Sequence, residues 1–217
     1  MITIENVEIF GFETSIRGCR NAFNSWSKGD SYWEQIENPQ TMNTAKFQFH
    51  LGEADFELMK KLAAAGNDHG KFMRMINVTC DIVAPLYWWK EFDTYKVGTV
   101  ANSCSTMHKI ADKEFTEEDF SFENLSDEAK TARITEIVLD VLNTARAAYL
   151  ATKDKTYWWD MIQLLPCSYN QRRTVQLNYA VLKNMYHARR AHKLNEWHDF
   201  CHWIEELPYS ELITGEK

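Results

Sequence analysis

The sequence predicts an α+β fold in which a small, mostly antiparallel sheet is covered by long helices. Two stretches, residues 2–12 and 46–51, alternate apolar and polar side chains as strands do. Residues 128–152 instead carry apolar side chains at helical spacing. Hydrophobic residues make up 45% of the 217 positions, which is enough to bury a sizeable core, so we predict a single domain over residues 1–217.

The first half of the chain is predicted to supply most of the sheet. The segment Arg17–Asn43 lacks clear periodicity, so we predict a long loop with short helical pieces and pair the strand at 46–51 with the first strand. Residues 53–65 have the apolar spacing of a helix that ends at Gly66. Residues 77–83 are short and β-branched, which is typical of a buried strand.

The second half is predicted to form the long helices. The acidic segment 113–127 is interpreted as a solvated connection, and Ser126 then begins a helix that continues to Thr152. The apolar stripe of this helix is predicted to face the core: Ile134, Ile137, Val138, Val141, Leu142, Ala145 and Tyr149. A second helix over residues 156–166 ends at Pro166. A further helical pattern follows, with the apolar positions Val175, Leu182, Met185 and Tyr186.

Charge and composition argue against several classes of partner. The formal net charge is −7, which disfavours a nonspecific nucleic-acid or acidic-membrane partner, although local cations can still bind a small anion. No run approaches the roughly 20 apolar residues of a membrane helix, and the first residues lack the features of a signal peptide. Five scattered cysteines predict free thiols in a reducing compartment, so we expect a cytoplasmic protein.

Amides and one cation lie between the apolar positions of the last helical pattern. Asn178, Asn184, Arg189 and Asn195 can offer hydrogen-bond donors there to an anionic, ring-bearing ligand. The alternative is an ordinary solvated helix face. A second polar cluster, Asn102–Thr106, is predicted either to bind a phosphate or a ring or to form a plain loop.

Other chemistries have weaker support in the sequence. His198, Cys201 and His202 share a helix face, but no second ligand cluster accompanies them, so we predict no metal site. His108 lies close to Cys104 and Ser105, although proximity in sequence does not establish a nucleophile–base pair. The absence of a GxGxxG loop disfavours a Rossmann cofactor domain.

The C-terminal segment resembles the signature of flavin-dependent thymidylate synthases. That family carries Leu-Pro, then Asn-x-Arg-x-Leu, an Asn, a Leu-Arg and an Ala-Gln. The spacing from Pro166 to Arg189 needs no gap. The matching residues are Leu165, Pro166, Asn178, Leu182, Asn184 and Arg189. The family's polar positions differ at three places: Ile162 and Ala180 replace arginines, and Asn195 replaces a glutamine.

The middle of the chain resembles the same family with larger departures. Lys90 stands at the family's Gln, and Asp93-Thr94-Tyr95 stands at its Arg-His-Arg. Residues 102–105 match the family's Asn-Glu-x-Ser only after a short shift. An Asp at position 93 would repel a phosphate by roughly 1–4 kcal/mol at about 4 Å, depending on the dielectric, unless Lys90, Lys96 or Arg74 compensates.

The resemblance implies a reaction, its cofactors and a set of site residues. The reaction is the reductive methylation of dUMP to dTMP, with methylenetetrahydrofolate as carbon donor, NADPH as reductant and FAD as bound cofactor, in a homotetramer whose subunits share active sites. The implied catalytic residues are Arg189 and Ser105. The implied cofactor-binding residues are His69, Arg74, Asn178 and Asn184. The implied nucleotide-binding residues are Lys90, Asn102, Ser103, Ser105, Arg189 and Asn195.

Two alternatives to this reaction stay open on the same scaffold. One is a nucleotide- or flavin-binding protein that has lost synthase activity, as the replacement of the Arg-His-Arg hallmark by Asp93-Thr94-Tyr95 suggests. The other is an enzyme that acts on a different pyrimidine nucleotide.

Overall fold

Four antiparallel strands form the main sheet of the computed structural model, which describes residues 2–36 and 46–215. In spatial order these strands are β1 (Thr3–Phe10), β4 (Asn77–Pro85), β6 (Asn170–Asn178) and β5 (Val100–Ser103). A separate antiparallel pair consists of β2 (Tyr32–Ile36) and β3 (Lys46–His50).

Helices account for most of the remaining structure of the described residues. In chain order they are α1 (Phe12–Asn21), α2 (Glu53–Ala64), α3 (Leu86–Phe92), α4 (Thr106–Lys109), α5 (Asp127–Thr131), α6 (Ile134–Thr152), α7 (Lys155–Leu164), α8 (Tyr179–Arg189), α9 (Asn195–Glu205) and α10 (Glu211–Thr214). The predicted α+β class with a small antiparallel sheet is therefore confirmed, as are the elements now labelled β1, β4, α2 and α7. Among the residues described, no helix has the length and apolar character that crossing a bilayer requires.

One face of the main sheet packs against helices and forms the larger hydrophobic cluster. Along β4 the buried positions alternate, as a strand with one covered face requires: Val78, Cys80, Ile82 and Ala84. Trp88 of α3 packs against Trp197 of α9, with ring centroids 4.8 Å apart. The indole Nε1 of Trp89 donates to the Gln171 carbonyl oxygen at 2.9 Å, which ties α3 to β6.

A smaller hydrophobic cluster joins α6, α7 and the segment that precedes α5. The prediction that residues 113–127 form a solvated connection is wrong, because Phe115 and Phe120 are buried there. Asn143 of α6 holds this segment through two bonds of 2.9 Å: its Oδ1 accepts the Phe115 backbone N–H, and its Nδ2 donates to the Phe115 carbonyl oxygen. Burial of the two phenylalanines and these paired bonds hold the segment against the protein, although its acidic composition favours exposure to solvent.

The segment Arg17–Asn43 contains the end of α1 and a 3-10 helix at Trp26–Lys28, which agrees with the predicted short helical pieces. It also contains β2, so the loop prediction is wrong for Tyr32–Ile36, and residues 37–45 lie outside the described part. Helix α1 buries Ser15 and Arg20 beside its apolar residues, which hides its periodicity in the sequence. Gly11 precedes this helix with φ +104°, and a Cβ there would lie 2.0 Å from the Met75 carbonyl oxygen. Only glycine fits this position.

The strand predicted at residues 46–51 is confirmed as β3, but the predicted partner is wrong. Strand β3 pairs with β2, and β1 pairs with β4. Aromatic contacts stabilise the β2–β3 pair: the rings of Trp33 and Phe49 lie 5.3 Å apart, and those of Tyr32 and His50 stack at 5.1 Å. Because no strand is predicted before residue 46 except the first, the sequence offered β3 no other partner.

The helix predicted from Ser126 to Thr152 is divided into α5 and α6. Ser126 caps α5 as predicted, since its Oγ accepts the Ala129 backbone N–H at 3.2 Å. Arg133 then adopts a left-handed conformation, with φ 55°, between the two helices. An L-residue in this conformation cannot continue a right-handed helix.

The apolar stripe of α6 is buried along one narrow face only. Leu142 and Ala145 are buried against α7 and the preceding segment, whereas Ile137 and Val141 are 53% and 43% exposed. The prediction that the whole stripe faces the core is therefore wrong, because the stripe is wider than the surface that covers it.

The last helical pattern begins later than predicted. Val175 lies in β6, where its burial alternates with that of its neighbours, and α8 starts at Tyr179. The other predicted apolar positions, Leu182, Met185 and Tyr186, are buried in α8 as expected.

Candidate ligand-binding site

Two of the amide side chains predicted to bind a ligand, those of Asn178 and Asn184, line one cavity of about 660 Å³, here called the amide cavity. It lies between the end of α2, the 3-10 helix Gly70–Met75, a turn at Gly98 and one side of α8. Three of the four residues predicted to hold a cofactor, Arg74, Asn178 and Asn184, line this cavity together.

Asn178 joins β6 to α8 and is buried at the wall of the amide cavity. Its Oδ1 accepts the Val181 backbone N–H at 3.0 Å and so caps α8. A Cβ built on Gly98 would lie 2.9 Å from Asn178 Nδ2, and Gly98 has φ +80°. Glycine therefore lets the turn approach the amide, whose oxygen is fixed by the cap and whose Nδ2 faces the turn.

Two basic side chains give the amide cavity a positive potential. Lys183 Nζ donates to the Ala63 carbonyl oxygen at 2.8 Å, in the last turn of α2. Burial lowers the pKa of Lys183 below its usual value. Arg74 reaches the cavity from the 3-10 helix, and no Asp or Glu is found among the described residues that line it. The cavity suits an anionic ligand with hydrogen-bonding edges.

His69, the fourth residue predicted to hold a cofactor, lies in a neighbouring cavity of about 550 Å³. Arg74 lines both cavities, so the two adjoin at this side chain. Leu62 and Phe72 make the second cavity more apolar, and burial raises the pKa of the Cys19 thiol there to about 12. This thiol is therefore neutral and unreactive at physiological pH.

Arg189, predicted to bind the nucleotide, makes its contacts within the chain. Its Nη1 lies 2.6 Å from Glu91 Oε2, and its Nε donates to the Tyr95 hydroxyl at 2.8 Å. Its guanidinium lies 4.9 Å from the centroid of a Trp197 ring. Glu91 Oε2 also accepts the Trp197 indole N–H at 3.2 Å and lies 3.1 Å from His192 Nε2. A nucleotide would have to compete with Glu91 for Arg189.

Four further predicted nucleotide-binding residues lie away from the walls of the amide cavity, as far as the chain is described. Lys90 of α3 places its Nζ 3.2 Å from Cys167 Sγ. Asn102 and Ser103 are exposed on β5, at the edge of the main sheet. Ser105 follows them and caps α4.

Asn195 begins α9 and lines a separate cavity of about 390 Å³. Carboxylate side chains line this cavity as well: Glu123, Glu196 and Asp199. Because carboxylates repel an anionic nucleotide, this cavity differs in electrostatic character from the amide cavity.

Asp93, which stands at the first Arg of the family's hallmark, is paired with a cation. Its Oδ1 lies 2.7 Å from Arg173 Nη1, and the Arg173 guanidinium lies 4.2 Å from the centroid of a Trp89 ring. Arg173 Nε also donates to Gln171 Oε1 at 2.9 Å. The pairing weakens the repulsion that Asp93 exerts on a phosphate. It also makes Arg173 less available to bind that phosphate.

The residues considered for metal or nucleophilic chemistry do not form a site in the described structure. Cys201 is buried, whereas His198 Nε2 lies 2.7 Å from the His192 carbonyl oxygen. Among the described residues no group of three or more His, Cys, Asp and Glu could hold a metal ion. Ser105 Oγ accepts the backbone N–H of His108 at 3.1 Å, which is a capping contact.

Solved structures share this arrangement of strands and helices. The flavin-dependent thymidylate synthase ThyX of Helicobacter pylori, in complex with FAD and dUMP, matches with a TM-score of 0.68 and 15% identity over 98% of each chain. The fold is that of flavin-dependent thymidylate synthases. A second structure of that enzyme with FAD and dUMP matches with a TM-score of 0.67 and 14% identity, over 99% of this chain and 98% of the other.

A methylase shares the fold as well. The UMP/dUMP methylase PolB of Streptomyces cacaoi, bound with 5-Br dUMP, matches with a TM-score of 0.66 and 14% identity, over 99% of this chain and 95% of the other. No protein-family model and no curated protein sequence matches the chain.

Sequence reasoning missed part of the wall of the amide cavity. Val181, Asn184 and His187 recur at helical spacing along one side of α8. Because Asn184 was predicted to face a ligand, the same spacing could have predicted that Val181 and His187 face it too. Lys183 and Gly98 carried no such signal. They line the cavity because of a contact with α2 and a left-handed turn, which are tertiary features.

Proposed function

We propose that this protein is a flavin-dependent enzyme that methylates a uracil nucleotide, with the conversion of dUMP to dTMP as its reaction. The observation that carries the proposal is the amide cavity, where Arg74, Asn178 and Asn184 meet on this fold. The proposed carbon donor is methylenetetrahydrofolate and the proposed reductant is NADPH. FAD, when bound, would carry the electron pair from NADPH to the transferred carbon.

The chemistry of the amide cavity fits a flavin dinucleotide. The side-chain amides of Asn178 and Asn184 offer the donors and acceptors that the polar edge of a flavin ring requires. Arg74 and Lys183 offer cationic donors for a pyrophosphate. The adjoining cavity with His69 lengthens the site beyond Arg74, as an extended cofactor would need.

The uracil nucleotide is proposed to bind next to the flavin, with Arg189 and Ser105 as the catalytic residues. Ser105 Oγ accepts one hydrogen bond as a helix cap, and its hydroxyl hydrogen can be donated to a phosphate oxygen. Arg189 would exchange Glu91 for the nucleotide. The other proposed nucleotide contacts are Lys90, Asn102, Ser103 and Asn195.

The proposed assembly is a homotetramer in the cytoplasm. The exposed apolar side chains of α6, among them Ile137 and Val141, support self-association. In an assembly with shared sites, residues that lie apart in one chain, such as Lys90 and Asn184, can meet across subunits.

A second candidate function is the binding of a flavin or nucleotide without synthase activity. The Arg189–Glu91 and Arg173–Asp93 ion pairs favour it, because each neutralises a cation within the chain. A third candidate is an enzyme for a different pyrimidine nucleotide, and the match to a methylase named for both UMP and dUMP supports it.

Flavin retention tests the proposal directly. Protein mixed with FAD and passed through a desalting column should keep a visible absorption band, and added dUMP should shift that band. Asn184→Ala should weaken FAD binding roughly tenfold, because one polar contact to the ring is lost. The control is Arg190→Ala, which removes an exposed charge near the end of the same helix. If the parent protein left the desalting column with no bound FAD, the proposal would be contradicted.

A complementation experiment distinguishes between the three candidate functions when a flavin is bound. Growth of a thymidine-requiring bacterial strain without thymidine would establish synthase activity and exclude the candidate that only binds. Absence of growth, together with a retained flavin band, would favour the second or third candidate. Turnover of UMP in place of dUMP by the purified protein would then select the third.

A further inference from the structure

A cavity of about 1030 Å³ lies between α4, α6 and the start of α7, beside the smaller hydrophobic cluster. Its described lining residues are all different from those of the amide cavity. The residues that define its chemistry are His108, Arg146, Tyr149, Lys153, Lys155 and Trp158. We propose that this cation-lined cavity binds a phosphorylated compound that carries a flat ring.

Three permanent cations converge on the cavity. Arg146 is held at its edge because Nε donates to the Ala111 carbonyl oxygen at 3.0 Å and Nη2 lies 3.5 Å from the Asp112 carbonyl oxygen. The remaining guanidinium N–H groups of Arg146 are donors for a ligand. Lys153 and Lys155 flank the turn between α6 and α7.

One carboxylate and one histidine also line the cavity. Asp112 is the acidic residue among its described lining residues, and its Oδ2 lies 3.0 Å from Lys109 Nζ, which offsets its charge. His108 adds a further donor on the side of α4. The cavity therefore combines three cations with one paired carboxylate, in a chain whose formal net charge is −7.

Aromatic rings lie next to two of these cations. Lys153 Nζ is 5.7 Å from the centroid of the Tyr149 ring, and Lys155 Nζ is 5.8 Å from that of a Trp158 ring. The indole Nε1 of Trp158 donates to the Met107 carbonyl oxygen at 3.1 Å, which fixes the plane of the ring. A phosphate held by either ammonium would thus place an attached flat group against an aromatic face.

The size and chemistry together distinguish this cavity from an ordinary charged surface. Ligand pockets usually enclose roughly 300–1,000 Å³ and contain a few convergent polar groups, and the volume of this cavity, about 1030 Å³, lies just above that range. Isolated surface lysines do not require a ligand, but here three cations and two rings surround one concavity. The inference does not depend on the proposed function, because this cavity is lined neither by residues of the amide cavity nor by the proposed nucleotide contacts, although His108 is hydrogen-bonded to Ser105.

Phenyl phosphate is the probe, compared with inorganic phosphate and phenol by isothermal titration calorimetry. Phenyl phosphate should bind more tightly than either part alone. The double substitution Lys153→Gln with Lys155→Gln should weaken its binding roughly tenfold or more, because charge-assisted hydrogen bonds are lost. The matched control, Lys28→Gln with Lys193→Gln, removes the same charge at exposed positions outside the cavity and should bind like the parent.

A second measurement locates the probe without changing the cations. With 5-fluorotryptophan incorporated, the ¹⁹F signal absent in Trp158→Phe is that of Trp158, and phenyl phosphate should shift this signal in the parent protein. No binding at millimolar phenyl phosphate, equal weakening by both double substitutions, or an unmoved Trp158 signal would each overturn the proposal.

Discussion

Basic side chains in this protein differ in whether an internal carboxylate engages them. Arg189 contacts Glu91 and Arg173 contacts Asp93, whereas Arg74 and Lys183 face a cavity with no carboxylate among its described lining residues. The sequence shows only that all four side chains are basic. Their tertiary contacts show that Arg189 and Arg173 stabilise the fold, whereas Arg74 and Lys183 are available to a ligand.

The Arg189 contacts predict a measurable effect of removing the guanidinium. Arg189→Ala should lower the free energy of unfolding by about 1 kcal/mol, because Glu91 loses its charge partner in a partly exposed setting. Urea unfolding measures this change. The same substitution should abolish dUMP binding in a titration, and Arg190→Ala is the control for both measurements. Unchanged dUMP affinity would remove Arg189 from the proposed nucleotide site.

At the scale of the helices, one buried carboxylate connects α1 with α2. Asp55 Oδ1 lies 2.6 Å from Arg20 Nη2, and Asp55 Oδ2 accepts the Ser31 backbone N–H at 3.1 Å and the Ser31 hydroxyl at 2.6 Å. Asp30 Oδ2 in turn accepts the Ala54 backbone N–H at 2.8 Å in the first turn of α2. This network positions the helix whose last turn forms a wall of the amide cavity.

The Asp55 network predicts how stability depends on pH. Burial raises the pKa of the Asp55 carboxyl, but hydrogen bonds from Ser31 and Arg20 together outweigh burial and lower the pKa below its usual value. A lowered pKa contributes stability above the unfolded pKa of about 4, and this contribution is lost as the pH falls through the folded pKa. Asp55→Asn should therefore cost roughly 3–5 kcal/mol at about pH 7, because Arg20 stays buried without its charge partner.

Urea unfolding at about pH 7 and at about pH 3 measures both parts of this prediction. The gap between Asp55→Asn and the parent should narrow at the lower pH. Glu53→Gln, which replaces an exposed carboxylate of α2, is the control and should leave the pH dependence nearly unchanged. Parallel pH profiles for Asp55→Asn and the parent would show that the Asp55 network does not control acid stability.

At the scale of the whole molecule, the smaller hydrophobic cluster leaves an apolar surface uncovered. Ile137 and Val141 of α6 lie on it, and so do Tyr157 and Leu164 of α7. A shallow cavity of about 340 Å³ follows the same surface between the two helices. Asp140 and Asp160 line the cavity as well, so this surface combines exposed apolar side chains with two carboxylates. Exposed apolar side chains that cluster on one face are typical of an interface, here proposed between copies of the chain.

A charge in this surface should change the oligomeric state. Val141→Glu places a carboxylate between the exposed apolar side chains, and its desolvation on association should shift the sedimentation-equilibrium mass towards the monomer. Ala147→Glu adds the same charge at an exposed position of α6 outside the 340 Å³ cavity and should keep the parent mass. If the two variants sediment alike, this surface is not the interface.

Local patterns in the sequence were sufficient for the fold class and for several elements. Alternation predicts β1 and β3, β-branched composition predicts β4, helical spacing and Gly66 predict α2, and Pro166 predicts the end of α7. Asn178 and Asn184 were also chosen from the sequence, and they do line one cavity. These features depend on interactions within a few residues, which a single chain segment encodes.

Contacts between distant segments were decided by the tertiary structure alone. Strand β3 has β2 as its partner, three of the seven residues in the α6 stripe stay exposed, Glu91 engages Arg189, and Arg74 lines the same cavity as the two asparagines. Periodicity shows which side chains share a face of an element, but it does not show what that face meets. The partner depends on the packing of the whole chain, because burial and pairing are properties of both surfaces together.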